Sequence, residues 1–294
     1  MKVACVGVGN MGGAVARHLA AGDFIVHAFD PDPAAVARCL EAGALKEESL
    51  AAVVESAEVV LTSLPTTALV TQTIDALVGL ATPGTVIVDI STIDPSTARR
   101  AADRCEAAQR DFIACPLGKT PAHAERGEIP LFVGGPAPAV EKVSPLLERM
   151  GDEVYSFGTV EAATTFKLVS NLIGMTNVAI LAEGYALARR AGIDPDVFAA
   201  ALKHTGAASF QEEVRLPWII EQDWSARFGV DLALKDVRLA VESANSWKVP
   251  VPVASASLEQ LTSASAQGYG AEDVVALAKL CDPALEDQPG GPHS

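Results

Sequence analysis

Through the first half of the chain, short β-rich apolar runs alternate with Ala-rich helical segments. The runs are Lys2–Val6, Phe24–Phe29, Val59–Ser63, Val86–Asp89 and Asp111–Ala114. They read as candidate strands. Between them, Met11–Ala21, Ala34–Glu41, Leu50–Glu55, Thr67–Val78 and Pro95–Ala108 carry helical periodicity. Strands that alternate with helices in this way predict a parallel, doubly wound α/β sheet. Pro130–Val133 reads as a further strand, Ala137–Arg149 as a helix, and Glu153–Phe157 as a last strand before the turn at Gly158-Thr159.

Beyond about residue 160 the strand pattern stops. A long helical segment runs from near Ala162 to Arg190, with Gly192 placed to cap it. Asp194-Pro195 opens another helix through an N-cap and a first-turn proline. Further helices are expected at Ser209–Glu221, Val230–Ser246, Ala254–Ala266 and Ala271–Leu280. The expected organisation is an α/β domain over 1–160, an all-helical domain over 161–281, and a flexible Pro/Gly-rich tail over 282–294.

Composition narrows the function classes. The 294 residues are 49% apolar and 20% charged, enough apolar material for a large core and too much for a disordered chain. Lys and Arg number 22 against 37 Asp and Glu, a formal charge of −15. Such acidity repels phosphate backbones and anionic lipid, so neither nucleic acid nor a membrane is an expected partner. A small anionic substrate stays open, because a site needs only local cations. The charge-free stretch Leu168 to Ala182 falls short of an uncharged span of about 18–20 residues. The apolar opening Val3–Val8 is too short for a signal sequence. Five Cys form no C-x-x-C pair, which fits reduced thiols in a cytoplasmic protein.

Gly7-Val8-Gly9-Asn10-Met11-Gly12 is a G-x-G-x-x-G motif between a predicted strand and a predicted helix. In that context the first glycine permits a tight turn and the second lets backbone approach a pyrophosphate. The third allows close helix–strand packing. Asp30 closes the second strand, 18 residues after Gly12. A carboxylate there suits the adenosine ribose hydroxyls and repels a 2′-phosphate, favouring NAD over NADP; the plainer alternative is an Asp-Pro turn.

The long helix is apolar nearly all round, except that Lys167, Ser170, Asn171, Gly174 and Asn177 fall within about 120° of one another. A polar, small-residue stripe on an otherwise buried helix suggests a cavity wall. Lys167 is then either a paired lysine reaching solvent at the domain boundary or a general acid/base.

The sequence resembles the β-hydroxyacid dehydrogenase family, over residues 1 to about 280. This family includes 3-hydroxyisobutyrate dehydrogenases, tartronate-semialdehyde reductases, and sulfolactaldehyde and succinic semialdehyde reductases. The resemblance rests on the glycine motif, Leu64-Pro65, Asp89-Ile90-Ser91-Thr92, Lys167-x-x-Ser170-Asn171 and Leu234-Lys235-Asp236. It implies a Rossmann domain with a C-terminal helical domain, usually as a homodimer or homotetramer. It also implies NAD-dependent interconversion of a short hydroxy acid, or hydroxy sulfonate, and its semialdehyde. Carried over residue by residue, it makes Lys167 the proton donor or acceptor and Asn171 its substrate-binding companion. Gly7, Gly9, Asn10, Met11, Gly12, Asp30, Leu64, Pro65, Thr92 and Lys235 border the cofactor, while Ser91, Gly118, Lys119 and Thr120 join the substrate site. No metal is implied.

The departures concern the substrate. Where the family loop usually reads D-A-P-V-S-G-G, this chain has Ala114-Cys115-Pro116-Leu117-Gly118-Lys119-Thr120. A substrate-binding Ser is thus replaced by Gly118, and two glycines by Lys119 and Thr120. Lys119 is accordingly either an anchor for the substrate's anionic end or an ordinary solvent-facing lysine. The alternatives to a hydroxyacid dehydrogenase are an NADPH-dependent imine reductase and a non-catalytic dinucleotide-binding module.

Overall fold

The computed structural model describes residues 1–55 and 57–285. The chain divides into two compact units between Lys167 and Leu168. The expected boundary is near residue 160, and this division falls a little beyond it, inside a continuous helix.

In the first unit the elements follow in the order β1 (Lys2–Val6), α1 (Asn10–Ala20), β2 (Ile25–Phe29), α2 (Pro33–Leu40), β3 (Leu45–Lys46) and α3 (Leu50–Val54). Then come β4 (Val59–Thr62), α4 (Thr67–Leu80), β5 (Val86–Asp89), α5 (Pro95–Ala107), β6 (Asp111–Ala114) and α6 (Pro121–Ala124). β7 (Pro130–Gly134), α7 (Ala137–Lys142), α8 (Ser144–Met150) and β8 (Glu153–Gly158) complete the sheet, and α9 (Val160–Arg190) leaves it. The strand order is β3-β2-β1-β4-β5-β6-β7-β8. The chain reverses direction across the sheet between β1 and β4, where doubly wound sheets open a crevice at the carboxyl ends of their strands.

The apolar runs are explained by burial on both sheet faces. In β1, Val3 and Cys5 enter one core layer and Ala4 and Val6 the other. β4 repeats this with Val59 and Leu61 against Val60, and β5 with Val86 and Val88 against Ile87.

Three features of this unit depart from the sequence expectation. β7 runs antiparallel to β6, pairing Ala114 with Gly134, so the sheet is mostly rather than wholly parallel. The single helix expected over 137–149 is two, because Pro145 has no N–H to give the carbonyl of Glu141 and α7 stops at Lys142. The two-residue β3 and four-residue α6 are too short to leave a periodic signal.

The second unit is helical: the rest of α9, then α10 (Pro195–Leu202), α11 (Phe210–Glu221), α12 (Val230–Ser246), α13 (Pro252–Ala264) and α14 (Leu277–Cys281). Asp194 accepts from the backbone N–H groups of Asp196 and Val197, so the Asp-Pro start operates as read. Ala271–Leu280, expected as one helix, instead begins with a 3₁₀ turn at Val274–Ala276. Fully buried Asp273 causes the late start by accepting from Val275, Arg227 and Phe228 N–H groups. Residues 282–285, expected within the flexible tail, are held in place. Asp282 takes an ion pair from Arg189 at 2.7 Å, Leu285 is buried, and Pro283–Leu285 forms a 3₁₀ turn. The remainder of that tail, 286–294, lies outside the described residues.

By length and composition α9 is long and apolar enough to cross a membrane, which a count of charge-free residues did not reveal. Both units draw on it for their cores. Val160 and Ala163 pack in the first, and Met175, Val178, Ala182 and Tyr185 in the second. Val169, Ile173, Ile180 and Leu187 are left exposed at heptad-like spacing, Leu187 at 73%.

Candidate active site

In the first unit the glycine motif forms the turn between β1 and α1. Gly7 has φ 84°, and a Cβ there would stand 2.2 Å from the carbonyl oxygen of Ser63. A Cβ on Gly12 would meet the Gly7 carbonyl oxygen, also at 2.2 Å. Both positions therefore demand glycine. At Gly9 the same construction meets nothing within 4 Å, so the backbone faces open space there. The N-cap of α1 is Gly9 itself, with no side-chain cap, and its first turn holds no acidic residue. An open, uncapped helix N-terminus behind a bare glycine fits a diphosphate, with Asn10, Met11 and Gly12 supplying backbone N–H groups.

Asp30 is joined to this turn. Its Oδ2 accepts from Val8 N–H at 2.8 Å and its Oδ1 from Asp32 N–H at 2.8 Å. Gly7 N–H donates to the Phe29 carbonyl at 2.9 Å. The turn role and the ribose role are thus compatible, since each carboxylate oxygen has a second lone pair for a ribose hydroxyl.

Beyond β4 and β5 lie Leu64, Pro65, Ser91 and Thr92. Leu64 and Thr92 are half-buried, whereas Ser91 is buried. The Ser91 hydroxyl donates to Asp89 Oδ1 at 2.6 Å and accepts from Leu64 N–H at 2.9 Å. Its donor is therefore committed inside the unit, where the resemblance had put it on the substrate.

The polar groups of the 114–120 loop also have partners within the first unit, although Lys119 itself is exposed. Gly118 N–H donates to the Pro130 carbonyl at 2.9 Å, and the Lys119 ammonium to the Glu128 carbonyl at 2.7 Å. Asp152 stands 3.6 Å from the same ammonium. Thr120 Oγ1 lies 2.7 Å from His123 Nδ1. A Cβ at Gly118 would meet Pro130 Cγ at 2.5 Å, so the missing serine is matched by a proline that occupies its space. Cys115 is fully buried; burial first, and the Asp89 charge second, push its thiol up to about 12. It remains an un-ionised thiol near neutrality, unsuited to nucleophilic work.

Lys167 is the last residue of the first unit and is half-buried. Phe166 beside it stacks on Phe157 and Phe132, with ring centroids 4.6 and 4.7 Å apart. These rings fix the first turns of α9 against β7 and β8.

In the second unit, Asn171 on α9 and Lys235 on α12 meet through a residue that sequence reading had left without a role. Buried Asp236 accepts from Asn171 Nδ2 at 2.6 Å and pairs with the Lys235 ammonium at 2.9 Å. The only signal for it was its place after Lys235, where an exposed Lys-Asp pair looks the same. Gly174, on the same stripe, admits Gln211, whose Nε2 would be 3.0 Å from a Cβ there.

Comparison with known proteins shows the family. The family model for the NAD-binding domain of 6-phosphogluconate dehydrogenase matches residues 2–158. The model for the NAD-binding of NADP-dependent 3-hydroxyisobutyrate dehydrogenase matches residues 162–281. L-threonate dehydrogenase of Escherichia coli K12 is 31% identical over 95% of this chain and 94% of its own. The 3-sulfolactaldehyde reductase of the same organism is 30% identical, with 94% of each chain covered. The crystal structure of 3-hydroxyisobutyrate dehydrogenase from Salmonella typhimurium superposes with a TM-score of 0.87 at 31% identity, over 95% of this chain and 99% of that one. A glycine cradle of this geometry, with those two family models in succession along one chain, makes this protein a member of the β-hydroxyacid dehydrogenase family of NAD(P)-dependent oxidoreductases.

Proposed function

We propose that the protein is an NAD-dependent dehydrogenase that interconverts a short hydroxy acid, or hydroxy sulfonate, and its semialdehyde. The observation that carries this reading is that one chain holds both a glycine cradle and an Asn171–Asp236–Lys235 cluster, with Lys167 one turn before Asn171 on the same helix. Relatives named for threonate and sulfolactaldehyde support a small anionic substrate class.

When bound, the nicotinamide dinucleotide supplies or accepts the hydride. Lys167 gives a proton to the carbonyl oxygen in the reducing direction and takes the hydroxyl proton in the oxidising one. Asp236 holds one amide N–H of Asn171, which sets which way the amide faces. Its remaining N–H and Oδ1 are then directed at the substrate oxygen. Lys235, fixed by the same carboxylate, adds positive charge for an anion. Asp30 accepts from a ribose hydroxyl and disfavours a 2′-phosphate, which is the basis for reading NAD rather than NADP.

The same proposal places the protein in the reducing cytoplasm and in a homodimer or homotetramer, supported by its unpaired thiols and by the exposed apolar stripe of α9. Initial rates over a panel of short hydroxy acids and semialdehydes, with NAD(H) and NADP(H), test the activity. Failure of every acid and semialdehyde with both dinucleotides would remove it.

A further inference from the structure

At the carboxyl edge of the sheet, β4 and β5 end in register, with Thr62 beside Asp89. Both side chains are buried, at 0% and 1% exposure. Thr62 Oγ1 donates to Asp89 Oδ1 at 2.7 Å, and the Ser91 hydroxyl donates to the same oxygen at 2.6 Å. Leu64 N–H then donates to Ser91 Oγ at 2.9 Å. The polar relay joins the segment after β4 to the turn after β5, alongside the backbone bond from Ile90 N–H to the Thr62 carbonyl at 2.9 Å.

Ser63 lies between the two anchored residues, and the glycine turn leans on it. A Cβ on Gly7 would strike the Ser63 carbonyl oxygen, and one on Gly12 would stand 2.6 Å from Ser63 Cβ. Movement of residues 62–64 is therefore transmitted to the turn that fits the diphosphate, because the contact has no slack.

We infer that Thr62, Asp89 and Ser91 are a positioning clamp for the dinucleotide site. The clamp sets the distance between the glycine turn and the Leu64–Thr92 rim. Ser91 works by holding Leu64 N–H against a buried carboxylate, and it does not contact the substrate. Hydrogen bonds to a buried carboxylate are short and stiff, and losing one hydroxyl leaves its partners unsatisfied. This inference rests on the dinucleotide-dependent reading above. It assigns Thr62 and Asp89 roles and gives Ser91 a different one from that implied by the resemblance.

Thr62 makes the inference testable, because a fully buried hydroxyl bonded to Asp89 has no route to a substrate. NADH binding is titrated by fluorescence, without substrate, for the wild type, Ser91→Ala, Thr62→Val, the double variant and Thr62→Ser. Melting temperatures and the KM of an active hydroxy acid are measured beside it. The clamp predicts that Ser91→Ala and Thr62→Val each weaken NADH by about tenfold. It also predicts that their effects are non-additive in the double variant, and that Thr62→Ser restores wild-type affinity. Unchanged NADH affinity in Thr62→Val overturns the clamp, including when only the melting temperature falls. A Ser91→Ala variant with normal NADH affinity and a raised KM for the acid puts Ser91 on the substrate and overturns it too. A wild type that fails to bind NADH removes the functional reading itself, a result distinct from both.

Discussion

Lys119 adopts φ 59°, in the left-handed region where a glycine rests easily and a lysine costs about 1 kcal/mol. The resembling family places glycine there. Here a lysine is held in that conformation with its ammonium on the Glu128 carbonyl and beside Asp152. Replacing it, Lys119→Gly, is expected to leave the KM for a hydroxy acid within about twofold while the melting temperature stays level or rises. A KM raised by about tenfold or more would return Lys119 to the substrate site. Asp30 carries a different expectation. Asp30→Asn keeps an acceptor for Val8 N–H but loses the charge that repels a 2′-phosphate. The ratio of kcat/KM for NADP against NAD should rise about tenfold, and an unchanged ratio would deny Asp30 its selective role. Single residues were only partly legible in the sequence. The glycines and Asp30 carry their own chemistry in their spacing. Ser91 and Thr120 turn to near neighbours, Asp89 and His123, and Lys119 to the Glu128 carbonyl and Asp152, directions that spacing alone does not set; Asp236 is distinguished from a solvated aspartate only by burial.

Among the elements, α5 shows how a cap is built into the rim of the dinucleotide site. It starts at Pro95, directly after the Ser91-Thr92 turn, and Asp94 caps it by accepting from Thr97 N–H at 2.9 Å. Partial burial pushes the Asp94 carboxyl up. Hydrogen bonds from Ser96 and Thr97, with the Arg100 charge, outweigh that burial and hold it below the usual carboxylate value. A carboxyl with a lowered folded pKa stabilises above its unfolded value, near pH 4, and loses that contribution as pH falls through the folded value. Asp94→Ala should therefore cost about 1 kcal/mol at neutral pH, and the difference from wild type should narrow on acidification below about pH 4. Denaturant unfolding at a series of pH values measures it. A difference that does not narrow would mean that the charge on Asp94 is not what stabilises the cap. Elements were the most legible scale. β1, β4, β5 and β6 follow from runs buried on two faces, and α12 from its period. The break between α7 and α8 could have been read from Pro145. The late start at Val274 could not, because it depends on Asp273 being buried against Arg227 and Phe228 N–H groups.

For the whole molecule, the formal charge is −15, while the proposed catalytic stripe carries Lys167 and is followed by a cluster that includes Lys235. The long helix explains why composition alone is a poor guide here. It passes the length and apolarity test for a membrane span because it supplies cores on both sides of the division at Lys167 and Leu168. The exposed row at Val169, Ile173, Ile180 and Leu187 is proposed as a face buried by a second copy of the chain. Sedimentation should then give a species of two or four 30.5 kDa chains. Ile180→Glu with Leu187→Glu should release smaller species. A wild type that sediments as a monomer at micromolar concentration would contradict this.

The role proposed for Lys167 on α9 is proton transfer to and from a short anionic substrate, with the dinucleotide held at the glycine turn. Its most direct test is stopped-flow turnover of Lys167→Met beside the wild type, with NAD(H) and the acid–semialdehyde pair that the panel finds active. The account predicts that the variant binds NADH with wild-type affinity and loses turnover by at least about a hundredfold. Undiminished turnover, or loss that disappears once NADH is saturating, would contradict it.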